Sequence, residues 1–249
     1  MIQDLSNHND KLRQKGKIGK LILNKVRGLA PISVLIMTLL FGYHIVSRSL
    51  SPQTISGVAA AGAALEGLVK IKDASTPSQE KVVVIGSDGS FIFDVSNMKG
   101  PFILQAVGTV DGTNYTLHSF ADSTGIANIN PLSNVAVAAA AKSDDPGEIY
   151  ANSNPVTLQK VKLNLGLAVT TLQSKLKPLF NLYGVTSTDP IKDHFRVHHS
   201  GLDDLLDDLK FFLTNDDLKI VDVTTGTDIF TSKVAYIYAG KFLNLPAHL

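Results

Sequence analysis

The chain of 249 residues contains no cysteine. Without cysteine there is no disulfide framework, no thiolate nucleophile, and no lipid-modified cysteine at a processed N-terminus. The phosphate-binding patterns G-x-x-x-x-G-K-[ST] and G-x-G-x-x-G are also missing, as are the G-x-S-x-G nucleophile elbow and the H-E-x-x-H metalloprotease motif. We therefore predict a protein that is not an enzyme and that uses no cofactor.

Positive charge is scarce beyond the first fifty residues. Residues 51–249 carry 15 basic and 20 acidic side chains, which gives a net charge of −5. Proteins that bind nucleic acid usually present a basic stripe or patch, and this part of the sequence has none. We expect no nucleic-acid partner.

The N-terminal region, in contrast, combines basic residues with a long apolar run. Residues 29–46 form an 18-residue stretch without a charged side chain, and residues 11–27 supply seven lysines and arginines. A helix of roughly 20 apolar residues spans a bilayer core, and basic flanks stay in the cytoplasm. The pattern predicts a cytoplasmic tail over residues 1–28, a single-pass transmembrane signal anchor over residues 29–48, and a periplasmic or extracellular location for residues 51–249.

Two fates remain open for the apolar segment. An uncleaved anchor is favoured because residues 47–52, which follow the run, fit the small-residue pattern of a cleavage site poorly. The alternative is a secretory peptide that is cleaved. Both fates place the remaining chain outside the cytoplasm.

Residues 53–130 have the pattern of a β domain. Seven short runs rich in valine, isoleucine, phenylalanine and threonine alternate with turn residues, at a spacing typical of a sandwich. The Asp-Gly pair at residues 88–89 predicts a hairpin between VVVIG and SFIFDV, and Phe91 and Phe93 share one face of the second strand. A second turn is predicted at residues 110–112, between FILQAV and NYTLHS.

The segments ISGVAAAGAALEGLVKIKD and GSDGSFIFDVSNMKGPFILQAVG, within residues 54–109, carry a family pattern. They resemble the carboxypeptidase-regulatory-like, transthyretin-type β-sandwich of bacterial exported proteins. That pattern reads SG-V-x(n)-G-A-x-V-x-(I/V)-x-D and then T-D-x-(D/N)-G-x-F-x-(F/L)-x-V, and the chain departs from its GA at residues 66–68. The part after the sandwich resembles the C-terminal portion of uncharacterised bacterial surface proteins. The resemblance implies an extracytoplasmic binding or structural module and no catalytic residues.

After residue 130 the apolar period becomes helical. Pro131 begins a predicted alanine-rich helix, and a longer helix follows the cap candidate Asn154, with leucines and valines at steps of three and four. A third helix is predicted from a Ser200 cap to Leu213. Its acidic side chains are expected to form a solvated face opposite the leucines: Asp203, Asp204, Asp207 and Asp208.

The sequence ends with a predicted hairpin and an apolar tail. Residues 225–226 provide the turn of the hairpin, which could return to the edge of the sandwich. The tail would either pack on the domain or pair with a partner. The fold class predicted for the whole chain is α+β: a transmembrane helix, a seven-stranded transthyretin-like sandwich over residues 53–130, and a helical subdomain with a terminal hairpin over residues 131–249.

The best candidate metal ligands are four polar residues of the segment DHFRVHH: Asp193, His194, His198 and His199. Imidazole and carboxylate ligands suit zinc or copper, and a four-residue spacing would align two of the histidines on a helix. The alternative is a solvated polar loop, because Arg196 interrupts the cluster and the predicted helix begins only at Ser200.

The sequence therefore predicts a non-catalytic binding or scaffold protein, anchored in the inner membrane or exported, whose partner is another protein or a surface polymer. One alternative is a metal-binding or metal-dependent protein that uses the histidine cluster at residues 193–199. A second alternative is a fibre or assembly subunit, in which the apolar N-terminal helix follows a basic leader.

Overall fold

The computed structural model describes residues 53–214 and 217–238. The predicted cytoplasmic tail, the predicted transmembrane anchor and most of the apolar C-terminal tail lie outside the described residues. The described part is mixed α+β, which confirms the predicted class. None of its helices combines the length and the hydropathy that a bilayer crossing requires.

The segment predicted as a sandwich contains a strand in each of its seven apolar runs: β1 (Thr54–Val58), β2 (Glu66–Lys72), β3 (Glu80–Val84), β4 (Ser90–Asp94), β5 (Phe102–Val110), β6 (Thr113–Ala121) and β7 (Gly125–Ile126). Four strands form one sheet in the order β3-β2-β5-β6, and three form another in the order β4-β1-β7. Side chains of both sheets, among them Phe93 and Leu104, belong to one buried apolar cluster. The two sheets therefore pack against each other around a common core.

The hairpin predicted between β3 and β4 is wrong. Residues 88–89 do form a turn, with Gly89 at a φ of +79°, but β3 and β4 belong to different sheets. Ile85, just after β3, and Phe91, in β4, are both buried in the common core. The chain therefore crosses from one sheet to the other at this turn. The turn at residues 110–112 joins the antiparallel neighbours β5 and β6, as predicted.

Asp73, the last residue of the first family-like segment, fastens the loop that leaves β2. It is completely buried, and its carboxylate accepts hydrogen bonds from the backbone N–H groups of Ser75, Gln79 and Lys99 and from the Ser75 hydroxyl, at 2.6 to 3.1 Å. Burial disfavours the charged form, but these hydrogen bonds outweigh it and hold the pKa of Asp73 below its ordinary value.

The helices of the described part begin after the sandwich: α1 (Pro131–Ala141), α2 (Pro146–Ala151), α3 (Pro155–Lys175), α4 (Lys177–Leu182), α5 (Leu202–Asp208) and α6 (Val234–Tyr238). The first two predicted helices are confirmed as α1 and α3. Asn154 caps α3, accepting from the N–H groups of Val156 and Thr157. Every residue of α1 except Asn134 is buried. Its small alanines let α1 lie close to both β6 and α3.

The third predicted helix is too long. α5 ends at Asp208, and its N-cap position is occupied by Gly201 and not by Ser200. The chain then forms a separate antiparallel sheet, in the order β10-β9-β8, from three strands: β8 (Leu209–Thr214), β9 (Asp217–Asp222) and β10 (Asp228–Lys233). The predicted hairpin around residues 225–226 forms, but it pairs with β8 and not with the edge of the sandwich.

The buried stripe of α3 predicts a difference between two leucines of the same helix. Leu172 lies in the apolar cluster that contains α1, whereas Leu163 is exposed. We expect Leu172→Ala to lower the free energy of unfolding by about 2–5 kcal/mol, because it leaves a cavity. Leu163→Ala should change it by less than about 0.5 kcal/mol. Urea unfolding of the two purified variants measures both values, and equal losses would contradict the assigned face.

The buried carboxylate predicts a pH-dependent stability. Since the folded pKa of Asp73 is lowered, its stabilisation is fully present above the unfolded pKa of about 3.9 and is lost as pH falls through the folded pKa. At pH 7, Asp73→Asn should lower the free energy of unfolding by about 2 kcal/mol, and this difference should shrink below about pH 4. Asp122→Asn, at an exposed position, is the control. A difference that stays constant down to pH 2 would contradict the hydrogen-bond account.

Candidate metal centre

The loop between α4 and α5 is held against the sandwich by the asparagines of the segment that follows β7. The Asn128 N–H donates to the Ile191 carbonyl at 2.8 Å, and the Asn128 side chain donates to the Asp193 carbonyl at 2.7 Å. The Asn130 side chain donates to the Pro190 carbonyl at 2.8 Å. The first half of the loop is therefore fixed by buried hydrogen bonds, and the second half leads to the histidines.

The structure does not gather the four predicted metal ligands into one group. The Asp193 carboxylate accepts a hydrogen bond from the backbone N–H of Asp189. His194 is exposed. His198 is also exposed, and its Nδ1 lies 2.9 Å from the carbonyl oxygen of Arg196, two residues earlier. The segment is a loop, so the helical alignment of two histidines does not occur.

His199, the last of the four, lies instead beside two carboxylates of α5. Its Nδ1 is 2.7 Å from Oδ2 of Asp207. His199, Asp203 and Asp207 each offer a ligand atom within 4.8 Å of the other two, and they are the one such group of three within the described ranges. The four-residue spacing places Asp203 and Asp207 on one side of α5, since a helical turn takes 3.6 residues. The loop before the helix brings His199 beside them.

Asp203 is the unusual member of this group. The sequence predicts a solvated side chain, but Asp203 is completely buried. Its Oδ2 accepts hydrogen bonds from the backbone N–H groups of His198 and His199, at 2.6 and 2.7 Å. Its Oδ1 is also buried, and no donor within the described ranges reaches it. The prediction was wrong because helical periodicity identifies only the face that carries the leucines. It does not show that the loop before α5 folds over the side of the helix that carries Asp203.

The loop reaches Asp203 through an uncommon backbone conformation. His199 has a φ of +52°, in the left-handed region that side chains other than glycine seldom adopt. In this conformation the adjacent N–H groups of His198 and His199 both donate to Oδ2 of Asp203. It also leaves the His199 imidazole beside Asp207.

The imidazole and the carboxylate of Asp207 influence each other's protonation. The hydrogen bond that His199 donates to Asp207 and the negative charge of Asp207 raise the pKa of His199, while burial raises the pKa of Asp207 above its ordinary value. The His199 side chain is 77% exposed and that of Asp207 is 24% exposed.

The cluster borders a groove in the described part of the chain. His199 and Asp207 line a groove of about 580 Å³, together with the β5–β6 turn, the start of α1, and β8. The polar residues Asn114 and Tyr115 also line the groove, and the exposed Phe212 contributes apolar surface. A ligand in the groove would therefore meet the histidine and the carboxylate directly.

His118, which is buried, has a structural role. Both ring nitrogens of His118 are occupied, since Nδ1 lies 2.9 Å from Oδ1 of Asn134 and Nε2 lies 3.0 Å from Nε2 of Gln105. Asn134 can only accept through that oxygen and Gln105 can only donate through that nitrogen, so the ring is neutral with its proton on Nδ1. Burial lowers the pKa of His118, in agreement with this state. The hydrogen bond between His118 and Asn134 joins β6 to α1.

Comparisons of the chain with models of protein families, with curated proteins and with solved structures find no match. The likeness to a carboxypeptidase-regulatory-like sandwich therefore remains a prediction.

Sequence reasoning missed Asp203 and Asp207 as partners of the histidine. The signal that could have found them is the spacing His199-x-x-x-Asp203-x-x-x-Asp207, which continues in steps of four into the predicted helix. The segment that holds His194 and His198 has no such helical period.

Proposed function

We propose that this chain is a non-catalytic binding or scaffold module that works outside the cytoplasm. Residues 29–48 anchor it in the membrane, and residues 51–249 contact a partner protein in the periplasm or at the cell surface. The basic residues before the apolar run support this orientation. A row of exposed apolar side chains on the outer face of the four-stranded sheet supports the binding role.

The row crosses three neighbouring strands at one level. Leu68 of β2 is in register with Val84 of β3 on one side and with Val107 of β5 on the other. Their exposed fractions are 41% for Leu68, 74% for Val84 and 40% for Val107. Adjacent exposed apolar residues are more informative than scattered ones, because contiguous patches often mark interaction sites.

The same row ends at an open strand edge. β3 is the outermost strand of its sheet, and an outermost strand presents unpaired backbone groups to which an extended segment of another protein can add. The neighbouring Val82 is also exposed. A partner strand beside β3 would form backbone hydrogen bonds and at the same time cover the valines.

We further propose that the sandwich is of the carboxypeptidase-regulatory-like type. Two pattern residues have structural tasks that support the proposal. The Asp73 carboxylate, after β2, joins the loop that follows it to the segment before β5, through the N–H groups of Gln79 and Lys99. Gly89 adopts the positive φ that its turn before β4 requires.

Two alternative functions each have an observation in their favour. A metal-binding protein is favoured by His199, which retains two carboxylate neighbours. A fibre or assembly subunit is favoured by the open edge of β3, because a second copy could add there as well as another protein.

The proposed location predicts a protease-sensitivity pattern. Protease added to spheroplasts that produce the full-length chain should digest residues 51–249 and spare the basic tail, because only the exported part faces the medium. Immunoblots with antibodies to each end measure the two fragments. Protection of the C-terminal part in intact spheroplasts, with digestion after lysis, would contradict the proposed topology.

The proposed partner surface predicts position-dependent crosslinking. A photoreactive amino acid in place of Val84 should form a crosslinked product in intact cells, because this position lies on both the apolar row and the strand edge. The control is the same replacement at Ile92, which is exposed on the other sheet. Mass spectrometry identifies the product. Equal crosslinking at both positions, or none at position 84, would contradict the surface, and a product made only of two copies of this chain would favour the assembly subunit.

A further inference from the structure

We propose that His199, Asp203 and Asp207 bind one divalent transition-metal ion, with zinc as the ion that fits best. The three residues span the start of α5, so the site lies at the wall of the groove. A metal ion here is independent of a protein partner at the sheet face, and neither requires the other.

The main support for this metal site is the buried Oδ1 of Asp203. A carboxylate oxygen that is removed from water and accepts no hydrogen bond is costly. The other oxygen of the same group is fully used by two backbone N–H groups, at 2.6 and 2.7 Å. No donor within residues 53–214 and 217–238 satisfies Oδ1. A cation bound by Oδ1 together with Asp207 and His199 would supply the missing partner.

The kinds of ligand select the kind of metal. One imidazole and two carboxylates match the donors that zinc takes, whereas calcium and magnesium prefer oxygen ligands alone. Zinc also accepts few ligands, and three protein side chains leave one position of a tetrahedral site open. Calcium would need six to eight oxygens, and the group offers too few.

To hold the ion, the three ligand atoms must adjust their separations, which now lie within 4.8 Å. Ligand atoms about 2.0–2.2 Å from zinc are roughly 3.4 Å apart in a tetrahedral site. Nδ1 of His199 and Oδ2 of Asp207 are now 2.7 Å apart, so they must separate by less than 1 Å. His199 is largely exposed and can move, while Asp203 is held in place by its two hydrogen bonds.

The second oxygen of Asp203 orients the site. Because Oδ2 is bound to the N–H groups of the residues at the histidine end of the loop, the carboxylate plane is fixed before any ion arrives. Supporting hydrogen bonds of this kind strengthen a metal site by holding the ligand in place. The open position of the ion would face the groove, because both His199 and Asp207 line it.

The test is zinc binding to the purified full-length protein in detergent. Isothermal titration with zinc chloride should give one ion per chain, and zinc should raise the melting temperature by mass action. His199→Ala and Asp207→Asn should each weaken binding by at least about tenfold. His194→Ala is the matched control, an exposed histidine of the same loop, and it should bind zinc as the unaltered protein does.

Asp203→Asn adds a readout that does not depend on affinity alone. The amide can still accept from the backbone but offers a weaker ligand, so zinc should no longer raise the melting temperature while the circular-dichroism spectrum stays that of a folded protein. Absence of zinc binding to the unaltered protein would overturn the proposal. So would zinc binding that persists in both ligand variants, or that disappears in His194→Ala.

Discussion

Two buried amide side chains, those of Asn128 and Asn130, connect the sandwich to α1 and to the long loop before α5. Asn128 accepts from the N–H of Val58 in β1 and donates to the Asp193 carbonyl. Asn130 caps α1 through the N–H of Ser133 and donates to the Pro190 carbonyl. Because a buried polar group without a partner costs roughly 1–3 kcal/mol, these hydrogen bonds determine where α1 begins and where the long loop crosses the sandwich.

The position of the loop determines in turn the environment of Asp203. The loop leaves the asparagines and turns back over the flank of α5, and its N–H groups at His198 and His199 bind one oxygen of Asp203. This contact excludes water from the other oxygen, which is buried without a donor among the described residues. The fold thus creates a local electrostatic cost, and a cation between the two carboxylates would remove it. Asp207, which lies beside the exposed imidazole of His199, would not create this electrostatic cost by itself.

Local patterns predicted the structure where local interactions decide it. The seven strands, the cap of α3 at Asn154 and the turn at Gly226 follow from side-chain period, capping and turn chemistry. The errors concern pairing between distant segments. The apolar residues of 209–213 fit both a helical period and the two-residue period of a strand. The segment forms a strand because it pairs with β9. The turn at Gly89 is compatible with a hairpin, but β4 pairs with β1 instead. Asp203 was missed for the same reason, since a distant loop buries it.

The helical layer leaves one end of the four-stranded sheet uncovered. At the other end α1 packs on Ile103 and Phe120, and α2 is fastened by Tyr150, whose carbonyl accepts from Lys72 at 3.1 Å and whose hydroxyl donates to Glu80 at 3.0 Å. At the uncovered end the row of Val84, Leu68 and Val107 continues in register to Thr116, which lines the groove beside His199. Thr116, the position next to the apolar row, therefore lines the same groove as His199 and Asp207. A protein segment added along β3 would cover the row, and one that crossed the sheet would reach the groove and the open position of the ion.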